Sequence, residues 1–183
     1  DPDTDGSTIK ERYNGSGAAV RGFNVEGRAV FTRWFELQAG VTLQQSRYRE
    51  PEYWSEDAEV PPVRRMFRTP DAYGYFTASF KPVRNFTADL SGTCTGSMLV
   101  QHMAGSGVGQ DVAVSTPSFF DMNIRLSYDV RIYKEITMQL YGGVQNLFNA
   151  YQKDFDKGVD RDSGYIYGPS LPRSWFVGAK FSF

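Results

Sequence analysis

Apolar and polar residues alternate with a period of two over seven separate stretches, and this alternation predicts the elements of the chain. The first stretch sets Phe23, Val25, Gly27, Ala29 and Phe31 against Asn24, Glu26, Arg28 and Thr32. The second groups Phe35, Leu37, Ala39, Val41 and Leu43, the third Ala72, Gly74, Phe76, Ala78 and Phe80, and the fourth Phe86, Ala88, Leu90, Gly92 and Cys94. In the fifth, Phe120, Met122, Ile124, Leu126 and Tyr128 oppose Asp121, Asn123, Arg125 and Ser127, the cleanest alternation in the chain. The sixth carries Ile136, Met138, Leu140, Gly142 and Val144, and the last Trp175, Val177, Ala179, Phe181 and Phe183. Each stretch is a strand with one apolar and one wet face.

The connections alternate in length. Residues 33–34, 81–85 and 131–134 are short turns, whereas 45–70, 104–118 and 149–171 are long and irregular. Pro51, Pro61, Pro62 and Pro70 oppose a regular strand through the first long segment. Residues 1–17, rich in Asp, Gly, Ser and Thr, also read as loop. The expected architecture is an antiparallel meander of seven strands with all short turns at one end and all long loops at the other.

A period of two suits a soluble sheet on a core or a barrel wall in lipid. The sorted loops, together with strands near the ~9–11 residues that cross a bilayer at a tilt, favour the barrel. Charged mid-strand residues such as Glu26, Arg28, Asp89, Asp121 and Arg125 then face the lumen. Complete bacterial barrels have an even number of strands, and an open sheet would leave two unpaired edges in lipid. Seven strands therefore read as part of a larger wall, with residues 1–17 on the extracellular side.

Composition narrows this further. The 183 residues are 40% hydrophobic and 15% aromatic, with a net charge of -1 and a mean hydropathy of -0.45. No apolar run reaches the roughly 18 residues of a transmembrane helix, which leaves a β-barrel open. The near-zero charge argues against a nucleic-acid partner. Residues 1–12 show no secretory signal pattern, so the chain either stays inside or begins partway through a longer one. Cys94, the single cysteine, reads as a small wall residue. His102, the single histidine, reads as a loop-edge residue without partners for a metal site.

The run Val144-Gln145-Asn146-Leu147-Phe148-Asn149, followed by Tyr151-Gln152, Arg161-Asp162, Tyr165, Tyr167-Gly168-Pro169, Pro172-Arg173 and a terminal phenylalanine, closely resembles the C-terminal end of TonB-dependent outer-membrane receptors, in a style similar to those of Bacteroidetes-type bacteria. The resemblance implies an all-β fold, with residues 1–183 forming the C-terminal third of a 22-stranded transmembrane β-barrel whose plug and earlier strands lie outside this chain. It implies active import of a scarce nutrient such as a siderophore, haem or corrinoid across the outer membrane, with a lean toward a siderophore or similar metal chelate. The implied partners are the rest of the receptor, the TonB complex, the lipid bilayer, a possible surface lipoprotein and the barrel-assembly machinery, for which Phe183 resembles the recognition signal. No cofactor is implied.

Trp34, Phe35, Trp175 and Phe183 fall near strand ends, as an interfacial aromatic belt requires. Asp154, Asp156, Asp160 and Asp162 lack the ligand order, central glycine and final Glu of a calcium loop, and read as a solvated loop. No nucleophile, base and orienting acid recur at catalytic spacing, so an enzyme has no positive support. Ligand contacts are expected from the long loops, with Tyr48, Tyr53, Trp54, Arg64 and Arg65 as candidates. Two other readings fit the pattern: a small structural or adhesive outer-membrane barrel, and a soluble β-barrel holding a ligand inside.

Overall fold

The computed structural model describes Gly15, residues 17–169 and residues 171–183. Among the described residues ten strands form: β1 Ala18–Thr32, β2 Phe35–Glu52, β3 Val63–Arg65, β4 Ala72–Val83, β5 Phe86–Thr95, β6 Leu99–His102, β7 Val112–Ser115, β8 Phe119–Tyr133, β9 Ile136–Gln145 and β10 Ser174–Ser182. Seven of them, in the order β1-β2-β4-β5-β8-β9-β10, make one antiparallel meander, with β3 paired to the far end of β2. The seven predicted stretches are these seven strands.

Register explains why the alternation is so regular. The rungs Phe23↔Leu43, Val25↔Val41 and Ala29↔Leu37 continue through Leu37↔Ala78, Ala78↔Leu90, Leu90↔Ile124, Ile124↔Val144 and Trp175↔Val144. Directly opposite residues share a face, so one apolar face runs unbroken from β1 to β10. Among the described residues nothing covers it: Val25 is 58% exposed, Trp175 77% and Val177 89%. Cys94 is exposed on this face, opposite Gly74 and Phe120.

The other face carries the mid-strand charges in short polar networks. Arg28 Nε donates to Glu36 at 2.5 Å. Glu26 accepts from Gln38 at 3.0 Å and from the Tyr75 hydroxyl. Further along the sheet, Gln139 accepts from Arg125 at 3.2 Å and donates to Asp129 at 2.9 Å, while the Arg125 guanidinium lies 4.6 Å from the centre of the Tyr141 ring.

At the short-turn end, Phe31, Trp34, Phe35 and Phe80 stack at centroid separations of 4.6 to 6.4 Å, part of the aromatic margin expected there. Phe183 at the chain end is 94% exposed.

Five expectations are corrected. The first strand begins at Ala18, not Phe23, and residues 45–52 continue β2 instead of opening the loop, because β1 supplies a ladder up to Ala18↔Tyr48. Pro51 is tolerated near the strand's end, where the missing N–H costs little. Residues 112–115 of the supposed second loop form β7, which pairs with β6. His102 lies in β6 and is only 6% exposed, so it is no loop-edge residue. The acidic series is not wholly a solvated loop either; the carboxylates of Asp154, Asp156 and Asp162 are bonded into the loop structure described below, while Asp160 stays exposed. The predicted loop over residues 1–17 lies largely outside the described residues.

Candidate functional site

Chain direction reverses at every strand, so the turns 33–34, 84–85 and 134–135 fall at one end and the connections 53–71, 96–118 and 146–173 at the other. The three long connections interlock. Val100 of β6 is fully buried against Tyr165 and Tyr167, with Met98, Val114 and Phe119 packed around them. His102 stacks on Tyr165 at 3.7 Å with ring planes 4° apart. Its Nε2 meets Asp156 Oδ1 at 2.9 Å, a pair almost wholly removed from solvent.

Polar groups complete the lock. Gln152, 1% exposed, donates to the Tyr165 carbonyl at 3.1 Å and accepts from the Tyr167 amide at 2.9 Å. The hydroxyls of Tyr165 and Tyr167 donate to the two Asp154 oxygens at 2.7 and 2.6 Å. Asp162 accepts from the Met103 amide at 2.8 Å, and Asp111 accepts from Ser55 at 2.6 Å and the Ala104 amide at 2.7 Å. Arg68, held at φ 56°, donates to the carbonyls of Gly164 and, at 3.0 Å, Ile166.

These bonds set the titration of the cluster. The His102 hydrogen bond, assisted by the Asp162 amide, holds the Asp156 carboxyl below its ordinary value. Ser55 and the Ala104 amide do the same for Asp111. Burial pushes Asp154 up, but the Tyr167 and Tyr165 hydroxyls outweigh it and leave the carboxyl lowered. Burial, then Asp154, raises both phenols, Tyr167 to about 12 and Tyr165 further.

The Asn-Leu-Phe-Asn element is a clip between β9 and the third long connection. Asn146 and Asn149 adopt left-handed conformations, φ 49° and 53°, which Asn tolerates better than most residues. Asn146 is 3% exposed; its side chain donates to the carbonyls of Ala150 at 2.9 Å and Leu171 at 2.8 Å and accepts from the Ala150 amide at 2.8 Å. Asn149 accepts from the Arg173 amide at 2.9 Å, aligning the entry to β10.

Beneath this roof, on the polar face, lie two adjoining clefts. One of about 280 Å³ is lined by Thr93, Thr95, Thr116, Phe119 and Asp121. The other, about 420 Å³, is lined by Asp121, Asn123, Gln145 and Asn146. Asp121, common to both, holds a buried Oδ1 without a hydrogen-bond partner among the described residues. Such a surface can hold a ligand through hydrogen bonds. Among the described residues no three His, Cys, Asp or Glu side chains converge as a metal site.

The five residues expected to contact ligand do not form one group. Tyr48 lies on β2 opposite Ala18, and Tyr53 just beyond β2 is 75% exposed. Trp54 packs edge-on against Phe67 at 5.3 Å. Arg64 is exposed on β3 and donates to the Arg49 carbonyl at 3.3 Å. Arg65 is engaged by Asp71 at 2.9 Å and the Ser97 carbonyl at 2.6 Å. The buried cluster of His102, Gln152 and Asp156 escaped sequence reasoning; the only signals were the period-two spacings of Tyr165 with Tyr167 and Asp154 with Asp156, which place each pair on one side of an extended segment.

No protein-family model matches the sequence, and no curated protein matches it. In three dimensions the chain is similar to the crystal structure of the ferric-catecholate import receptor Fiu from E. coli K12 in its closed form, with a TM-score of 0.62 and 21% identity. This chain has the fold of part of that protein's β-barrel wall. The match covers 88% of this chain and 20% of the receptor's, so the chain spans about a fifth of that protein.

Proposed function

We propose that residues 1–183 are the C-terminal part of the barrel of a TonB-dependent outer-membrane receptor that imports a ferric siderophore or similar metal chelate. One observation carries this reading: an apolar face continuous over seven strands and open to its surroundings, with every long loop locked together at one end. In water so large an apolar surface drives aggregation, whereas lipid covers it without penalty, and the polar face then lines a lumen. The edges of β1 and β10 find their partners in the remaining strands, since unpaired strand edges are not tolerated in hydrocarbon. Plug and TonB complex supply the occlusion and the energy, and the assembly machinery reads the end at Phe183.

Within this wall the ligand meets hydrogen-bonding groups of the lumen, with Asp121 the foremost, and side chains at the long-loop end, with the exposed Tyr53 and Arg64 and the half-buried Tyr48 ahead of Trp54 and Arg65, whose side chains are committed to packing and pairing. The test is uptake in iron-starved cells of the source bacterium, with and without the gene for the full protein, using a panel of radiolabelled ferric chelates. Loss of uptake of one chelate, restored by the gene and abolished without TonB, is the expected result. Unchanged uptake of the whole panel, or a protein absent from the outer membrane, overturns the proposal.

A further inference from the structure

On the polar face of the sheet, side chains of neighbouring strands supply donors to four carboxylates. Glu26 accepts from Gln38 and Tyr75, Glu36 from Arg28, Asp89 from the Ser79 hydroxyl at 2.6 Å and Asp129 from Gln139. Asp121 is different. Its Oδ1 is removed from solvent and accepts from nothing among the described residues, and its carboxylate enters no ion pair there. Such an oxygen is costly to keep, the more so when it is ionised. It stands at the long-loop end of β8, opposite Thr93, where both clefts beneath the loops meet. Neither cleft is lined by a lysine or arginine. The next row of the polar face toward the loops, Asn24, Thr42, Tyr73, Thr95 and Phe119, is uncharged from β1 to β8. Arg125, the next cation along β8, is four residues or about 13 Å away, and it turns toward the short-turn end to reach Gln139 and the Tyr141 ring. Above the clefts, Arg65 is held by Asp71 and the Ser97 carbonyl, and Arg68 by the Gly164 and Ile166 carbonyls.

From an unpartnered carboxylate in an otherwise uncharged double cleft, we infer that this site takes a cationic arm of the imported chelate, a primary ammonium being the simplest. The ammonium donates to Asp121, while the hydroxyls of Thr93, Thr95 and Thr116 and the amides of Asn123 and Gln145 hold the neutral chain that carries it. A charged donor on a carboxylate out of reach of water makes the stronger class of hydrogen bond. Clefts of about 280 and 420 Å³ have the size of small-molecule sites. The inference rests on the reading of this chain as a receptor wall, and it names the class of substrate: a chelate that is neutral or positive overall and bears a pendant cation. An iron(III) trihydroxamate with a free amine is of this kind, because three hydroxamates balance the metal and the ammonium adds a positive charge. Three catecholates instead leave the complex strongly anionic, and in these clefts that charge meets a carboxylate with no guanidinium to offset it.

The test measures binding of three ferric chelates to the full-length protein in detergent, by quenching of tryptophan fluorescence. The first is ferric desferrioxamine B, with its pendant ammonium; the second is the same chelate N-acetylated, which keeps the iron core and loses the cation; the third is a ferric tris-catecholate. The wild type is expected to bind the first at least about tenfold tighter than the second, the share of a hydrogen bond to a charged group, and the third most weakly. Asp121→Asn is expected to bring the first chelate down to the level of the second and to leave the second unchanged. Asp160→Asn, which removes an exposed loop carboxylate, is expected to keep the full preference. Equal binding of the first two by the wild type overturns the inference without any variant. A preference that survives Asp121→Asn overturns it as well, as does an equal loss of both chelates in that variant, the result expected if Asp121 pairs with a cation of the plug. Tightest binding of the tris-catecholate overturns the inference and leaves the receptor reading standing. Binding of none of the three also overturns it, and the uptake panel in cells then decides the receptor reading by itself.

Discussion

Gln152 shows how one side chain can hold a loop. Its amide satisfies a backbone carbonyl and a backbone N–H of the Tyr165–Tyr167 segment from a site with no access to water. Gln152→Ala leaves both unpaired, at about 1–3 kcal/mol, and should raise hydrogen exchange over residues 149–171 while the strands stay protected. The carboxylates around it predict a pH dependence with a definite sign. Asp156 is held below its ordinary value of 3.8, so its contribution to loop order is complete above that pH and is lost as pH falls through the lowered value. Tyr167 is raised from 10.0 to about 12, so its contribution is complete below the ordinary phenol value and fades as pH climbs through the raised one. Loop exchange rates should therefore rise at both extremes, and tyrosinate absorbance should show Tyr165 and Tyr167 among the phenols that titrate late. Tyrosines that all ionise together near their ordinary value would contradict the Asp154 arrangement.

Between β9 and β10, the Asn146 clip combines a backbone conformation with three side-chain bonds. The two contributions separate by substitution. Asn146→Gly keeps the left-handed backbone and loses the bonds, whereas Asn146→Leu loses both and adds a branched side chain where φ is positive, at a further cost of about 1–2 kcal/mol. The expected order of stability in denaturant unfolding is wild type, then Gly, then Leu; a Leu variant as stable as the wild type would remove the clip from the account. Space is the constraint three residues earlier, at Gly143. A Cβ on Gly143 would stand 2.0 Å from the Ile124 carbonyl oxygen, an obstruction by backbone that side-chain motion does not relieve. The Phe176 ring lies over the same glycine at 2.8 Å from that position, so the glycine lets the aromatic of β10 lie flat on the polar face.

Across the whole sheet, the barrel-wall reading has the two faces meet different solvents, and paired substitutions one residue apart test it. Leu90 lies on the apolar face between Ala78 and Ile124, and Ser91 on the polar face between Thr77 and Asn123. Leu90→Arg in the full-length protein should lower stability in lipid vesicles by about 2–4 kcal/mol, with Ser91→Arg close to neutral because water reaches it. Equal effects would mean that both faces are wet, and the barrel-wall reading would fall. Covering this surface, not filling a core, is the organising problem of the molecule: the buried apolar residues among those described are few, and most of them sit under the loops.

By itself, the sequence determined the number, order and facing of the seven strands, because a period of two, repeated between turns, admits only one assignment of side chains to faces. It also revealed the sorting of the loops, which follows from counting. Where strands ended was decided by partners distant in the chain: residues 45–52 remain extended because β1 reaches back to Ala18, and residues 112–115 because β6 lies beside them. The fate of His102 and of the acidic series was likewise tertiary. Residues 102 and 156 share no local pattern, and only the packing of one long connection on another brings imidazole to carboxylate. An isolated histidine and four scattered aspartates carry no periodicity to read; hydrogen bonds between loops depend on where the sheet places the loop ends.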